Sequence, residues 1–282
     1  MGEGIVYESL NLMSLYNLPM VMICENNGYA QSTSIKDNLS GSIISRASAF
    51  GINVYEADTW NFEELIKLCE KAILNARNNI PSFIHVNTYR LKAHSKGDDD
   101  RDLVEIKEYE EKDIVQNLII NDNNYSEYYN EIKNDIELYV DSAVNKRQME
   151  IDEYIECNDL KTKFEYSSHN PFIEKKQSEL INEYFDESLD NDEKIILIGE
   201  DIKDPYGGAF KITKGLSDKY KNNIISTPIS EAAIVGMGIG MSILNFKPYV
   251  EIMFGDFITY SYDQIVSNAS KFYHMYNKKY NI

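Results

Sequence analysis

Short, mostly apolar runs alternate with helical patterns along the first half of the chain. The runs lie at 19–24, 52–55 and 83–87. The first is apolar at every position, which is typical of a strand buried on both faces of a parallel sheet. Helical patterns fill the intervals, at 4–17, at 43–50 and from Asn61 onward. This alternation predicts a doubly wound α/β sheet.

The helix after Asn61 carries its own start signal. Glu64 follows Asn61 at a spacing typical of a capping box. The apolar positions that come next recur at helical spacing and predict one buried face. They are Leu65, Leu68, Cys69 and Ile73.

The middle of the chain changes character. Residues 103–158 are highly charged and rich in tyrosine, and we interpret them as helices that cap a first domain, 1–159. The segment 160–175 has no strong periodicity and is the predicted linker. A second α/β domain follows at 176–282. Its predicted strands lie at 194–199, 223–226 and 248–253.

Charge and cysteine content narrow the function classes. The chain has 28 basic and 46 acidic residues, a net charge of −18 and no basic cluster, which argues against nucleic-acid binding. A diphosphate ligand would need a metal ion or local donors to offset repulsion. Three cysteines without zinc or disulfide spacing indicate a reducing compartment. No apolar run reaches membrane length and the start lacks a basic region, so we expect a cytoplasmic protein that does not enter membranes.

A glycine-rich stretch at 236–240 invites comparison with a dinucleotide-binding loop. It follows the start of a predicted helix rather than a strand, and it lacks the spacing of that motif. We predict instead a helix face of small residues that allows close packing against a neighbour.

The polar residues that end the first apolar run form the leading candidate site. They are Glu25, Asn26, Asn27 and Gly28. In open α/β sheets, ligands bind at the carboxyl ends of strands. Amide and carbonyl oxygens are ligands that suit a hard cation. The alternative is a plain turn, since asparagine and glycine favour left-handed conformations.

Several motifs, taken in order, resemble one enzyme family. Four resemble the α part of the decarboxylating component of 2-oxo acid dehydrogenase complexes: GIVYESLN at 4–11, LP at 18–19, ENNGY at 25–29 and YRLKAHSKGDD at 89–99. Five resemble its β part: GED at 199–201, YGGAF at 206–210, TPISE at 227–231, EIMF at 251–254 and DQIV at 263–266. The resemblance implies a fused α–β, thiamine diphosphate-dependent 2-oxo acid dehydrogenase. Such an oxidoreductase passes an acyl group to a lipoyl-bearing acyltransferase.

The resemblance also implies which residues of the first half hold the cofactor. Thiamine diphosphate would be bound through Mg²⁺, with the Asn27 side chain and the backbone carbonyl of Tyr29 as ligands. His94 matches a histidine on a loop over the active site, which serves both cofactor and substrate in the family. A polar loop of this kind is expected to be mobile.

In the second half, three residues match the family's contacts to the aminopyrimidine ring. Glu231 matches the glutamate that hydrogen-bonds a ring nitrogen and so takes part in catalysis, and Ile229 belongs to the same motif. Phe257 matches an aromatic residue that lies against the ring. The alternatives are a glutamate favoured in the first turn of a helix by the helix dipole, and a phenylalanine that simply packs in the core.

The chain departs from the family at both ends. The family's Gly-Asp-Gly segment, which carries the metal-binding aspartate, would fall before Met1, and the β part would continue past Ile282. We therefore interpret the chain as two incomplete doubly wound, thiamine diphosphate-binding domains of a longer polypeptide. We expect it to be inactive alone and to form a homo-oligomer when full length.

Two other interpretations stay open. The chain could be a pseudoenzyme or an assembly module of the same fold, which cofactor binding would distinguish. It could also be a transketolase-like enzyme, although the histidine loop and the DQIV motif argue against this. The 2-oxo acid is left open between branched-chain, pyruvate and acetoin-related substrates. The HS pair before GDD at 97–99, and the glycine-rich stretch before EI at 251–252, resemble branched-chain members slightly more than pyruvate members.

Overall fold

The computed structural model describes residues 1–97, 99–148, 174–276, 280 and 282. The described residues form two compact units. One holds residues 1–6 and the described chain from 13 to 148, and the other holds residues 7–12 and the described chain after 173. The predicted linker therefore lies outside the described residues except for its last two positions, and so do Cys157 and residues 149–158.

The first unit is built on a parallel three-stranded sheet. Its strands are β1 (Val21–Asn26), β2 (Asn53–Asp58) and β3 (Ser82–Asn87), in the order β1-β3-β2. The helices of this part of the chain are α1 (Gly4–Leu15), α2 (Ile35–Asn38), α3 (Ile43–Ser48) and α4 (Phe62–Arg77). The central strand β3 is buried along all but its last residue. The predicted doubly wound α/β fold is thus confirmed for this half.

The prediction that the first strand spans 19–24 and is buried on both faces was wrong. Strand β1 begins and ends two residues later, and it is an edge strand that pairs only with β3 in the described sheet. Ile23 accordingly keeps 54% of its surface exposed. Apolar composition alone cannot show whether a strand has one neighbour or two.

Helix α4 begins as predicted. The Asn61 side chain accepts a hydrogen bond from the Glu64 N–H at 3.4 Å. Its buried face differs from the predicted one. Ile73, predicted to be buried, is exposed, whereas Ala72 and Ala76 are buried. Leu65, Cys69 and Ala72 pack against Ile84 and Val86 of β3.

Three helices follow, as the spacing in 103–158 predicts. They are α5 (Leu103–Glu111), α6 (Ile114–Asn121) and α7 (Asn123–Val144). An aspartate caps each N-terminus by accepting a backbone N–H: Asp102, Asp113 and Asp122. None of the three contains a fully buried residue.

The second unit contains another parallel sheet, in the order β5-β4-β6. Its strands are β4 (Ile195–Glu200), β5 (Ile224–Thr227) and β6 (Lys247–Val250). The helices are α8 (Gln177–Asn191), α9 (Leu216–Lys219), α10 (Glu231–Ile243) and α11 (Ser270–Met275). Two apolar clusters pack on the sheet, one around Leu197 and Ile202 and the other around Ile198 and Ile234. The last strand ends at Val250, earlier than the predicted 253.

The glycine-rich stretch lies inside α10, and close packing of the predicted kind is seen at one of its three glycines, Gly238. A Cβ atom built on Gly238 would lie 2.6 Å from Cγ2 of Val250, so the helix approaches β6 at this residue. No helix within the described ranges combines the length and apolar character needed to cross a bilayer.

Candidate functional site

Two asparagine side chains build the turn after β1. Oδ1 of Asn26 accepts the Gly28 N–H at 3.2 Å, and Oδ1 of Asn27 accepts the Tyr29 N–H at 3.0 Å. Gly28 has φ +80°, a left-handed conformation that glycine adopts without strain. The Ile35 N–H donates to the Gly28 carbonyl at 2.8 Å and joins the turn to α2. The backbone thus forms a turn stabilised by asparagine and glycine, as the alternative interpretation of this segment states. The Asn27 amide oxygen has a second lone pair, however, and can still bind a cation.

A row of polar side chains crosses the sheet beside this turn. Nδ2 of Asn26 donates to Oδ1 of Asn87 at 3.5 Å, and Nδ2 of Asn87 donates to Oε1 of Glu56 at 3.1 Å. Asn26 and Asn87 are register partners, so their side chains share one face of the sheet. A cavity of about 420 Å³ opens here. Its lining includes Asn27, Tyr29, Asn87, Tyr89, Glu105 and Tyr109.

Aromatic residues that follow the three strands wall this cavity. Tyr29 follows β1, Trp60 follows β2 and Tyr89 follows β3. Tyr109 of α5 stacks on Tyr89 with ring centroids 3.9 Å apart and lies 5.3 Å from the Trp60 ring. Tyr29 meets Tyr89 edge-on at 6.4 Å. The carboxyl ends of the strands and α5 therefore form one connected wall.

Arg101, at the start of α5, is the buried cation of this region. Its Nε and Nη2 donate to the Asp99 carboxylate at 2.7 and 2.6 Å, and Nη1 donates to the Arg90 carbonyl at 2.5 Å. The guanidinium lies 5.0 Å from the centroid of the Tyr89 ring. The hydrogen bond from Arg101 lowers the pKa of Asp99 to about 2, and the same bond raises the pKa of Arg101.

His94 lies on the loop between Arg90 and Arg101, and it is exposed. Arg90 holds the start of this loop by donating to the carbonyls of Ala30 and Gln31 at 2.9 and 2.6 Å. Arg101 holds its end through the contacts described above. The loop that carries the predicted histidine is thus fixed at both ends beside the Asn27 turn.

In the second unit, two of the three predicted ring contacts, Ile229 and Glu231, lie at the start of α10. Glu231 is the first residue of that helix, as the alternative interpretation states, and Ile229 is 84% exposed. Between them, the buried Ser230 donates its N–H to Oε1 of Glu200 at 3.1 Å. Burial raises the pKa of Glu200, and the charges of Glu231 and Asp201 add to that rise.

Phe257 lies in a short 3₁₀ segment, Gly255–Ser261. Its ring meets Phe254 edge-on at 5.6 Å, and 37% of its surface is exposed. It is therefore not enclosed in the core of the second unit, contrary to the packing alternative.

Sequence reasoning gave no role to Glu251, which the structure places in a tight niche. A Cβ on Gly199 would lie 2.9 Å from the Glu251 Cβ, and one on Gly208 would lie 3.6 Å from Oε1. The Ala209 N–H hydrogen-bonds the carboxylate, while Oε2 has no partner within the described ranges. Burial raises the pKa of Glu251. Gly199 was the available signal, since a Cβ there would collide with the Glu251 side chain, whereas one on Gly208 would make an ordinary contact with it.

Two family profiles match the chain. The dehydrogenase E1 component matches residues 1–154, more than half of the sequence, and the pyrimidine binding domain of transketolase matches residues 174–275. The chain belongs to the dehydrogenase E1 component family. This confirms the family resemblance, whereas the fusion of an α and a β part on one natural polypeptide stays a prediction.

Relatives of this E1-family chain match its second half. The beta subunit of acetoin:2,6-dichlorophenolindophenol oxidoreductase from Cupriavidus necator is 39% identical over 108 residues, which are 35% of this chain and 32% of the relative. The mitochondrial pyruvate dehydrogenase E1 component subunit beta of Dictyostelium discoideum is 42% identical over 96 residues, 34% of this chain and 27% of the relative. The matched part thus spans about a third or less of each of these relatives.

Solved transketolases share the fold of the E1-family chain. The enzyme from Campylobacter jejuni superposes with a TM-score of 0.53 at 15% identity, over 92% of this chain and 42% of that one. A transketolase from Pichia stipitis gives 0.52 at 14% identity, over 93% and 43%. At this identity the likeness shows the fold alone.

For a cation, the first unit offers neutral oxygens. Within the described ranges no three His, Cys, Asp or Glu side chains come together as a metal site. The Asn27 side chain and the Tyr29 carbonyl belong to one turn beside the cavity. Such oxygens fit Mg²⁺, which binds few protein ligands and completes its shell with phosphate oxygens and water.

Proposed function

We propose that this chain supplies cofactor-binding residues of a thiamine diphosphate-dependent enzyme that decarboxylates a 2-oxo acid. The observation that carries the proposal is the turn at Asn27 and Tyr29. It borders a cavity of about 420 Å³ within the part of the chain that matches the dehydrogenase E1 component. Neutral oxygens beside a cavity of this size suit a cation that carries a diphosphate.

The first unit would serve the diphosphate end of the cofactor. Oδ1 of Asn27 and the carbonyl oxygen of Tyr29 would hold Mg²⁺, which offsets the repulsion between a diphosphate and a chain of net charge −18. His94, exposed on its anchored loop, would donate a hydrogen bond to the diphosphate or to the substrate carboxylate. It would act at the site as a hydrogen-bond donor.

The second unit would serve the ring end. The carboxyl group of Glu231, at the first residue of α10, would hydrogen-bond a nitrogen of the aminopyrimidine ring. Ile229 and Phe257 expose apolar surface that would cover the ring and exclude water. Thiamine diphosphate itself supplies the electron sink for the carbanion left by decarboxylation.

The remaining features concern the whole protein. Because the relatives are an acetoin enzyme and a pyruvate enzyme, the substrate would be pyruvate or an acetoin-related compound in preference to a branched-chain acid. A lipoyl-bearing acyltransferase would accept the acyl group. The complete polypeptide would be a cytoplasmic, fused α–β homo-oligomer.

A second candidate is a binding or assembly module without catalysis. It is favoured by the composition of the site, since within the described ranges no three His, Cys, Asp or Glu side chains come together to hold a metal ion. A cation held by two neutral oxygens depends on the diphosphate for most of its affinity. This candidate predicts weak cofactor binding and no turnover.

The test is calorimetric titration of the purified chain with thiamine diphosphate, with and without MgCl₂. Binding that requires Mg²⁺, is weakened at least tenfold by Asn27→Ala and is unaffected by the control Asn222→Ala would support the proposal. Decarboxylation of pyruvate, followed with a dye as electron acceptor and lost in Glu231→Gln but not in Glu187→Gln, would identify an enzyme. Binding without turnover would favour the module, and no binding at saturating Mg²⁺ would overturn both.

A further inference from the structure

We propose that Glu105 is a positioning residue for the Asn27–Tyr29 turn. By holding the side chain of Tyr29, it would keep the turn in the one conformation that presents its oxygens to a cation. The identity of the ligand rests on the proposed function. The contacts that fix the turn do not, and they can be tested separately.

Tyr29 is held at several points. Its hydroxyl donates to both carboxylate oxygens of Glu105, at 2.9 and 3.2 Å, and its N–H donates to Asn27 at 3.0 Å. Tyr89 lies against the ring edge-on, and the Arg101 guanidinium is 5.6 Å from its centroid. Among the described residues, none donates a hydrogen bond to the Tyr29 carbonyl oxygen. The backbone group assigned to the cation is therefore one that the described residues leave available.

The position of Glu105 in α5 suggests a role beyond helix capping. It stands three residues after the N-cap Asp102, which is where a capping-box glutamate would turn back to the N-cap N–H. Its carboxylate instead reaches a residue 76 positions earlier in the chain. The hydrogen bond raises the pKa of the Tyr29 hydroxyl to about 12, so the phenol stays a donor throughout the neutral range.

The same contact couples the turn to α5. Tyr109, one turn after Glu105 in that helix, stacks on Tyr89 and lies beside Trp60. Trp60 is the single tryptophan of the chain. Its fluorescence emission therefore reports whether α5 stays in position when Glu105 is changed. This distinguishes a local effect on the turn from displacement of the helix.

The test is a double-mutant cycle of Tyr29→Phe and Glu105→Ala, with Glu105→Gln as the conservative variant. Glu111→Gln, an exposed glutamate of the same helix, is the control. The first measurement is the Mg²⁺ concentration that half-saturates thiamine diphosphate binding. The second is hydrogen exchange in a peptide that covers residues 26–35, with Trp60 emission recorded in parallel.

We expect each single variant to raise the half-saturating Mg²⁺ concentration about five- to tenfold, the scale of one ordinary intramolecular hydrogen bond. The double variant should be no worse than the poorer single, because both remove the same contact. Glu105→Gln should recover part of the loss, since its amide oxygen still accepts the hydroxyl. Exchange in the turn should accelerate while Trp60 emission stays unchanged.

Failure of the inference and failure of the proposed function give different results. If the wild-type chain binds Mg²⁺ and cofactor but Glu105→Ala leaves half-saturation unchanged, the positioning role is overturned. An additive double variant would overturn it too, as would a shift in Trp60 emission that shows displacement of α5. If the wild-type chain does not bind the cofactor, the proposed function fails, and hydrogen exchange then tests the positioning role. Unchanged protection of the turn in Glu105→Ala would overturn that role as well.

Discussion

Replacing Gly238 with alanine tests how closely α10 approaches β6. The new Cβ would lie 2.6 Å from Cγ2 of Val250, a distance at which one of the two groups must move. Overpacking of this kind costs about 1–3 kcal/mol. Alanine also stabilises a helix by about 1 kcal/mol relative to glycine, so the net loss at Gly238 is about 0–2 kcal/mol.

The same helix provides the matched control. A Cβ on Gly240 meets nothing within 4 Å, and one on Gly236 meets only the Gln264 amide oxygen at 3.7 Å, an ordinary contact. Both alanine variants gain the helix propensity without the collision. The difference in unfolding free energy between Gly238→Ala and Gly240→Ala therefore isolates the packing cost, about 1–3 kcal/mol.

Urea unfolding followed by circular dichroism measures these free energies, and hydrogen exchange of α10 peptides shows where the change lies. Val250→Ala removes the colliding methyl group, so the double variant Gly238→Ala/Val250→Ala should lose less stability than the sum of the two single changes. Equal stability of Gly238→Ala and Gly240→Ala, or strict additivity with Val250→Ala, would refute the close approach and the packing role of this glycine.

Three further predictions follow from individual contacts. Asn61→Ala should lower the unfolding free energy by about 1 kcal/mol through loss of the α4 cap, whereas Asn61→Asp should keep most of it; equal urea midpoints for the two would contradict the cap. Because the folded-state pKa of Asp99 is lowered to about 2 from 3.8, its ion pair stabilises above the usual pKa and is lost as pH falls towards 2. The stability difference between wild type and Asp99→Asn should shrink over that range, and a constant difference would argue against the pair. Burial raises the pKa of Glu251 in the folded state. Its contribution to the stability of the fold is therefore fully present below the pKa of an unfolded glutamate and is lost as the pH rises through the raised pKa. Glu251→Gln should therefore gain on wild type as pH rises above the usual range of a carboxyl group in urea titrations, and parallel pH profiles would count against the buried carboxyl.

Local patterns were sufficient to predict the alternation of strands and helices. The start of α4 follows from Asn61 and Glu64, which are three residues apart and meet in the structure. The glycines of α10 indicate a helix that can approach a neighbour closely, and it does so at Gly238 but not at Gly236 or Gly240. In each case the interacting groups are close in sequence, or the geometry of one helix brings them together.

Contacts that depend on strand order or on distant partners were beyond sequence reasoning. The exposure of Ile23 arises because β1 has one neighbour in the described sheet, which composition does not reveal. The pair of Tyr29 and Glu105 joins residues 76 positions apart, and Glu105 stands in a helix where charged residues are common. Nothing in that local pattern distinguishes it from Glu111.

The two interpretations of Asn27, as a turn former and as a cation ligand, are compatible in one geometry. The Asn27 oxygen accepts the Tyr29 N–H and so fixes its own side chain without using its second lone pair. The same bond orients the residue whose carbonyl is the second proposed ligand, and Glu105 fixes the far end of that residue. Because the turn is already held before any cation arrives, binding need not order it, and preorganisation of this kind raises affinity at a site poor in charge. A loss of Mg²⁺ affinity on changing Glu105, far from the proposed ligands in sequence, is the consequence that a plain turn would not share.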